Sequence, residues 1–100
     1  MEDISAQELK ERMDKGEVLN IIDVREQYEY DEVNIGAILI PLGELTVKIE
    51  DYDEWHNKEV IVHCKSGARS KAAKAYMLQN GFMNVRSLTG GINALLELKN

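Results

Sequence analysis

The sequence predicts an α/β protein with a central, mostly parallel sheet and helices on both of its faces. Short apolar runs, which suit strands, alternate along the chain with longer segments whose apolar residues recur at helical spacing. The clearest short run, at residues 60–63, is continuous and β-branched, as expected of a strand covered on both faces. Strands that alternate with helices pair in parallel, because each helix carries the chain back across the sheet.

Length and composition agree with one globular domain. The chain has 100 residues, of which 44% are hydrophobic and 30% charged, and a chain of this size can bury one core. It shows no linker, repeat or low-complexity tract. We therefore expect a single domain over residues 1–100.

A helix is predicted to open the chain. Ser5 starts a capping box, and Ile4 and Leu9 are placed to pack across the start of the helix. The helix should run to about residue 15 and end at Gly16. The rest of the first half is predicted as a strand, a short helical turn, a second strand and a second helix, at residues 18–22, 27–32, 37–40 and 42–52.

The second half begins with the strand at 60–63. A helix is then expected over 68–80, ending at Gly81, and its apolar stripe comprises Ala72, Ala73, Tyr76 and Met77. A strand at 85–88 follows, and two glycines precede a last helix through Leu96.

Charge is unevenly distributed along the chain. The net charge is −6, with −11 in residues 1–59 and +5 in residues 60–96. An acidic protein is a poor partner for nucleic acid, which binds to clustered positive charge. The positive segment indicates either a local attraction for a small anion or merely solvated lysines on helix faces.

No membrane association is expected, because the apolar runs fall far short of a spanning helix. Residues 1–3 begin an acidic segment without an apolar stretch, so we expect no secretory signal and a cytoplasmic location.

Cys64 is the one cysteine, so no internal disulfide can form. With His56 and His63 it offers too few ligands for a structural zinc site, and we expect no metal. A lone cysteine is either a small buried apolar residue or a reactive thiol, and its surroundings must decide which.

The segment around Cys64 joins the strand at 60–63 to the next helix, at the strand end where ligands bind in open α/β sheets. Free amides and the positive end of the helix dipole favour a thiolate there. Lys65 and Arg69 add positive charge, and Gly67 lets the amides curl inward. Because the loop has no bulky apolar side chain to bury the thiol, we interpret Cys64 as a nucleophile in an anion cradle. Alternatively, the small residues serve only the turn and Arg69 is solvated.

Four ordered motifs over nearly the whole chain resemble those of the rhodanese homology domain. They are Ile22-Asp23-Val24-Arg25-Glu26, the pair Tyr28-Glu29-Tyr30 with Ile35-Gly36-Ala37-Ile38-Leu39-Ile40-Pro41, Cys64-Lys65-Ser66-Gly67-Ala68-Arg69-Ser70, and Leu88-Thr89-Gly90-Gly91-Ile92. The resemblance implies a rhodanese-like three-layer fold, with about five mostly parallel strands between layers of helices.

The resemblance also implies a sulfurtransferase. Cys64 would be the catalytic nucleophile, taking a sulfane sulfur from thiosulfate or a persulfide and holding it as a persulfide. Asp23 and Arg25 would be scaffold residues that hydrogen-bond the nearby loops. The substrate-binding cradle would comprise Lys65, Ser66, Gly67, Ala68 and Arg69.

The expected mechanism is ping-pong covalent catalysis without a metal or organic cofactor. The chain has no second cysteine to resolve the persulfide, so the acceptor must be external, such as cyanide, a thiol or a partner protein.

The sequence departs from the family pattern at two places. Asn34 stands where a histidine is common, and the proline expected between Ile35 and Gly36 is missing, which affects the shape of that loop. Leu95 lies near a common tryptophan position, which we interpret as a difference in packing.

Two other functions remain open from the sequence. A cysteine-dependent phosphatase or arsenate reductase also uses a thiolate and an arginine, but its loop has five residues between them where this chain has four. The second is a binding or regulatory module, or a sulfur relay that accepts sulfur only from a partner protein.

Overall fold

Four parallel strands form the centre of the computed structural model, which describes residues 2–98. Their order across the sheet is β2-β1-β3-β4. The elements in chain order are α1 (Ala6–Asp14), β1 (Ile21–Asp23), α2 (Gln27–Glu32), β2 (Ile38–Leu39), α3 (Leu45–Lys48) between the 3-10 helices Leu42–Glu44 and Ile49–Trp55, β3 (Glu59–His63), α4 (Ala68–Gln79), β4 (Asn84–Ser87) and α5 (Gly91–Glu97).

Two apolar clusters, one on each face of the sheet, give the fold its three layers. Alternate residues of β3 divide between them, because successive side chains of a strand point to opposite faces: Val60 and Val62 join one cluster and Ile61 the other. The first cluster includes residues of α3 and α4, and the second includes residues of α1 and α5. The predicted α/β fold with helices on both faces is confirmed.

The expected fifth strand is reduced to a single-residue bridge. Ile4 pairs in parallel with Leu88, just beyond β4, and its amide donates to the carbonyl oxygen of Ser87 at 3.0 Å. The chain then turns into α1, whose first turn is capped by the Ser5 side chain accepting from the amide of Glu8. Since Ser5 already ends the extended segment, no longer strand can form there.

Several predicted boundaries are wrong, and each error has a local cause. The first strand begins at Ile21, and Val18 is 98% exposed because the chain is still in the connection after α1. In α4, Ala72 is exposed, and the fully buried positions are Ser70, Ala73 and Met77. The buried stripe of α4 therefore includes the polar residue Ser70 and does not include the predicted Ala72.

The predicted helix over 42–52 is only partly α-helical. Four residues, Leu45–Lys48, form α3, and 3-10 segments lie on both sides of it. Tyr52 has φ −116° and ψ 32°, which interrupts the helix before Trp55. Leu45 and Ile49, four residues apart in the sequence, are both buried, as expected for one face of a helix, although the backbone is irregular.

The loop that departs from the family pattern at Asn34 is held by that residue's own side chain. Its amide group donates to the carbonyl of Tyr30 at 2.9 Å, and its oxygen accepts from the backbone amide of Gly36 at 2.9 Å. Gly36 has φ +80°, and the Tyr30 hydroxyl donates to the carbonyl of Ala37 at 2.7 Å. The loop is therefore ordered by polar contacts without the missing proline.

None of the helices within residues 2–98 is long and apolar enough to cross a membrane.

Candidate active site

Cys64 lies at the carboxyl end of β3, next to the ends of β1 and β4. Val62 and Cys64 belong to the same apolar cluster, and Cys64 is only 1% exposed. This corrects the expectation that the thiol is uncovered. The loop after Cys64 has no bulky apolar side chain, but its backbone curls over the sulfur and covers it.

Amides of this loop donate hydrogen bonds to the sulfur. The amide of Gly67 lies 3.1 Å from Sγ and the amide of Ser70 lies 3.4 Å from it. Gly67, with φ +116°, is the N-cap of α4 and provides no side chain to cap the helix. The sulfur takes that role, because it accepts from amides at the helix start that have no partner within the helix.

This environment lowers the pKa of the Cys64 thiol. Burial alone would raise it, but hydrogen bonds outweigh burial, from the Ser70 amide and hydroxyl first and then from the amides of Gly67 and Ser66. A thiol with a lowered pKa is more often present as the nucleophilic thiolate.

The two basic residues of the loop contribute less than the sequence suggested. Arg69 forms a bidentate ion pair with Glu29 of α2, at 2.7 and 3.0 Å, and no hydrogen bond between Arg69 and the sulfur occurs among the described residues. The guanidinium holds the pKa of Glu29 down to about 2. Lys65 is exposed and lines a cleft beside the loop.

That cleft has a volume of about 320 Å³ and lies between α2, the Cys64 loop and α5. Tyr28, Val33 and Leu96 give it apolar walls, and Lys65 and Glu32 give it charged ones. A molecule that approaches the loop here meets apolar surface, one lysine and the carboxylates of Glu29 and Glu32.

A pair of buried hydroxyls lies behind the sulfur. The Ser70 Oγ is 3.7 Å from Sγ and 2.6 Å from the Oγ of Ser87, which is the last residue of β4. Both serines are buried. Ser70 ends the loop motif in the sequence, but no role was predicted for it. Ser87 carries no signal in the sequence, because it is adjacent to Cys64 only in the folded chain.

The start of α5 fixes the other side of the loop. The amides of Ile92 and Asn93 donate to the carbonyls of Cys64 and Lys65 at 2.8 and 3.1 Å. Gly91 has φ +63°, and a Cβ there would collide with the backbone of Lys65. The second glycine of the Gly-Gly motif is therefore needed for this close approach.

Asp23 and Arg25 act as the predicted scaffold. Arg25 forms a buried bidentate pair with Asp23, and its guanidinium also donates to the carbonyl of Val33 at 2.8 Å. His63 lies beside this pair, and its Nδ1 is 3.4 Å from the carbonyl oxygen of Cys64. Its Nε2 is 3.5 Å from Asp23 Oδ2 and has no hydrogen-bond partner among the described residues. Burial lowers the pKa of His63 despite the opposing effect of Asp23, so its imidazole is neutral at physiological pH.

The predicted site residues thus divide into three groups. Gly67 and Ser66 contribute amides to the sulfur environment, as expected of a cradle. Arg69 and Lys65 lie nearby without bonding to the sulfur, and Ala68 has an exposed side chain. A phosphatase-like role for Arg69 would need a guanidinium facing the reacting atom, whereas this one is held by Glu29.

Comparison with known proteins places the chain beside a family of the same architecture. The family model described as Rhodanese-like domain matches residues 5–98. The chain is 38% identical over 91 residues to the putative sulfur carrier protein YrkF of Bacillus subtilis, with 90% of this chain and 48% of that protein covered. It is 37% identical over 95 residues to the putative sulfurtransferase YtwF of the same organism, with 94% of this chain and 89% of that protein covered.

A solved structure shows the same fold. The crystal structure of a rhodanese-related protein from Thermoplasma volcanium superimposes with a TM-score of 0.83 at 32% identity, covering 97% of this chain and 92% of that one. The chain spans about half the length of YrkF and nearly all of YtwF, so its relatives include both longer proteins and proteins of similar length.

Proposed function

The chain belongs to the rhodanese-like domain family, and from that premise we propose that it is a sulfurtransferase whose Cys64 carries a sulfane sulfur as a persulfide. Sulfur transfer in general is the activity for which relatives such as YtwF are named. The observation that carries the more specific proposal is the pair of amides, of Gly67 and Ser70, that donate to a sulfur whose pKa is lowered.

In the first half-reaction, the Cys64 thiolate attacks the sulfane sulfur of a small anionic donor, thiosulfate or a persulfide. A new S–S bond forms at Cys64 and the S–S bond of the donor breaks. The rest of the donor leaves with the bonding electron pair, as sulfite when thiosulfate is the donor. The amides of Gly67 and Ser70 hold the attacking thiolate in place before the bond forms.

In the second half-reaction, an acceptor nucleophile such as cyanide or a thiol attacks the terminal sulfur. The persulfide S–S bond breaks, and Cys64 leaves as a thiolate. The same amides assist here, because fixed dipoles that stabilise an anion lower the cost of forming it. No general base is required, since neither half-reaction transfers a proton when both nucleophiles are anionic.

Two features favour this function over phosphatase or arsenate reductase chemistry. The loop has four residues between Cys64 and Arg69, which makes a narrow cradle. Arg69 is also engaged by Glu29 and does not offer its guanidinium to a tetrahedral oxyanion.

A second candidate is a sulfur relay that accepts sulfur from a partner protein. The observation that favours it is the 1% exposure of Cys64, which limits the approach of a free donor. One relative, YrkF, is named as a putative sulfur carrier. A relay would use the same Cys64 persulfide but would be loaded slowly by small molecules.

The intact mass of the reduced protein after incubation with thiosulfate tests the proposal. We expect a gain of one sulfur, about 32 Da, which cyanide removes and which Cys64→Ser protein does not show. Cys64→Ser is a suitable control because it preserves the size of the side chain and removes the sulfur.

Loading by an organic persulfide but not by thiosulfate would identify a persulfide as the donor, whereas slow loading by both small molecules would favour the relay. No loading from either donor, together with hydrolysis of an aryl phosphate that depends on Cys64, would overturn the proposal in favour of the phosphatase.

A further inference from the structure

The hydroxyl pair behind Cys64 joins the active-site loop to the end of β4. Ser70 Oγ lies 2.6 Å from Ser87 Oγ, 3.1 Å from the carbonyl oxygen of Gly67 and 3.7 Å from Cys64 Sγ. Ser70 is 0% exposed and Ser87 is 1% exposed, so bulk solvent does not reach either hydroxyl. The 2.6 Å contact is therefore a hydrogen bond shielded from bulk solvent.

The direction of the hydrogen bond between Ser70 and Ser87 follows from the number of hydroxyl protons available. Each hydroxyl has one proton to donate. The Gly67 carbonyl and the Cys64 thiolate can only accept, and Ser70 is the hydroxyl within reach of both. When Ser70 donates to either of them, the short contact with Ser87 is a hydrogen bond only if Ser87 is its donor.

We propose that Ser87 is a positioning residue for Cys64 and acts through Ser70. The Ser87 hydroxyl donates to Ser70 Oγ and keeps the Ser70 proton directed at the Gly67 carbonyl or the sulfur. When Cys64 is a thiolate, the Ser70 hydroxyl rotates toward the sulfur, which needs no movement of heavy atoms. The pair then stabilises the thiolate that attacks the donor and that later leaves the persulfide, so this inference rests on the proposed function.

The backbone around Ser87 is fixed on both sides, which holds its hydroxyl in place. Its amide donates to Asp3 Oδ1 at 3.1 Å, and its carbonyl accepts from the amide of Ile4 at 3.0 Å. Asp3 also binds Lys74 of α4 at 2.7 Å. Residue 87 is therefore held by contacts that do not involve its side chain, and these contacts remain available when the side chain is changed.

Three ionisable groups around Cys64 and Ser87 keep one charge state over the pH range of the titration. The pKa of Asp3 is lowered, despite burial, by Lys74 and the Ser87 amide, and the pKa of His63 is lowered mainly by burial. Asp3 is thus charged and His63 neutral throughout the neutral and alkaline range. Arg69 remains charged over the same range, because its pKa is raised by Glu29.

The test is the pH titration of the Cys64 thiolate by its ultraviolet absorbance, with matching Cys64→Ser protein as the blank for tyrosine. Cys64 is the one thiol of the chain, so the signal belongs to it alone. This readout needs no reagent to reach the buried sulfur. The informative pair is Ser87→Val and Ser87→Thr, which have nearly the same shape, suit a strand and differ in the hydroxyl.

We expect a higher Cys64 pKa in Ser87→Val than in Ser87→Thr. Below the midpoint, the thiolate fraction should be lower by about threefold, as for the loss of one neutral hydrogen bond. Ser87→Ala, which adds no bulk, should show the same shift against the unchanged protein. Thr89→Ala removes an exposed hydroxyl two residues away and should leave the midpoint unchanged.

Equal midpoints in folded Ser87→Val and Ser87→Thr, or an unshifted Ser87→Ala, would overturn the inference and leave Ser87 a packing residue. A double-mutant cycle tests the route through Ser70. In a Ser70→Ala background, Ser87→Ala should have little further effect, and a full additive effect would show that Ser87 does not act through Ser70.

The titration does not depend on sulfur transfer. A shifted midpoint in a protein that never gains sulfur would therefore contradict the proposed function alone.

Discussion

Gly91 illustrates at the scale of one residue why this site depends on backbone contacts. Its φ is +63°, and a Cβ built on it would collide with the carbonyl group of Lys65 and lie 2.6 Å from the carbonyl oxygen of Cys64. These carbonyls also accept from the first amides of α5. A side chain at residue 91 would thus push apart the two segments that hold Cys64.

We predict that Gly91→Ala lowers the free energy of unfolding by about 2–4 kcal/mol, from a strained φ together with overpacking. It should also raise the pKa of the Cys64 thiol, because the loop amides move away from the sulfur. Urea unfolding and the thiolate titration measure the two effects.

Gly16→Ala is the matched control for this prediction. Gly16 also has a positive φ, +78°, but a Cβ there meets nothing within 4 Å. Gly16→Ala should lower the free energy of unfolding by about 1 kcal/mol, because of the backbone conformation alone, and leave the pKa of the Cys64 thiol unchanged. Equal losses in the two variants would contradict the role of close approach at Gly91.

At the scale of elements, α2 is tied to α4 by the ion pair between Glu29 and Arg69. The pKa of Glu29, about 2, lies below its ordinary value of 4.5. A carboxyl whose pKa falls on folding stabilises the folded state above its unfolded pKa, and this contribution is lost as the pH falls toward the folded pKa. The pair should therefore matter at neutral pH and lose its effect in acid.

We predict that Glu29→Gln lowers the free energy of unfolding by about 1 kcal/mol at pH 7, since Arg69 is partly exposed to solvent. The difference from the unchanged protein should shrink as the pH falls from about 4.5 to about 2. Glu32→Gln, on the same helix but without an ion pair among the described residues, is the control. A difference that persists unchanged at pH 2 would refute the electrostatic explanation.

The buried pair of Asp23 and Arg25 joins the end of β1 to the loop after α2. The carboxylate is fully buried, and Arg25 reaches the carbonyl of Val33 as well. Removing one partner leaves the other charge buried without compensation, which is more costly than losing an exposed pair.

We therefore predict that Asp23→Asn lowers the free energy of unfolding by about 3–5 kcal/mol. Asp14→Asn, which breaks the exposed pair with Lys10, should cost less than about 1 kcal/mol. Denaturant unfolding of both variants gives the comparison. Similar small losses would mean that water reaches Arg25 and compensates its charge.

The elements that the sequence predicted well are those with an apolar periodicity and a clear terminus. Strand β3 and helices α1 and α4 have both, and their positions agree with the structure within about two residues. The 3-10 segments around α3 were missed, because the apolar spacing of Leu45 and Ile49 is the same whether the backbone between them is regular or not. Val18 was wrongly assigned to the first strand, because the sequence does not distinguish an exposed apolar residue in a connection from a buried one in a strand.

The site was predictable where it is local in sequence and unpredictable where it is not. The position of Cys64 and the donor role of the Gly67 amide follow from one short loop. The pairing of Arg69 with Glu29 and of Ser70 with Ser87 joins residues that are distant along the chain. Such contacts depend on how the elements pack, which motif spacing does not encode.

At the scale of the whole molecule, the positive segment predicted from residues 60–96 is largely neutralised by folding. Arg69 pairs with Glu29, Lys74 with Asp3, and Arg86 with Glu8 and Glu59. Each acidic partner comes from the acidic first half of the chain. The charges that are separated along the sequence are thus paired in the folded chain, and they do not create a strongly positive surface around Cys64.

We predict that loading of Cys64 by thiosulfate depends weakly on ionic strength. Electrostatic steering of an anion requires an uncompensated positive field, and Lys65 is the loop's remaining unpaired cation among the described residues. The loading rate, followed by intact mass, should stay within about twofold as salt is raised over the physiological range. A tenfold fall in the loading rate would indicate a cationic field around Cys64 that the ion pairs have not neutralised.

The burial of Cys64 under its own loop also affects its resistance to damage. The amides of Gly67 and Ser70 that favour the thiolate are part of the backbone that covers it. A local opening wide enough to admit a bulky oxidant would separate these amides from the sulfur and return the thiol toward ordinary acidity. The sulfur is therefore most nucleophilic while it is shielded, and it becomes a weaker target at the moment it is uncovered.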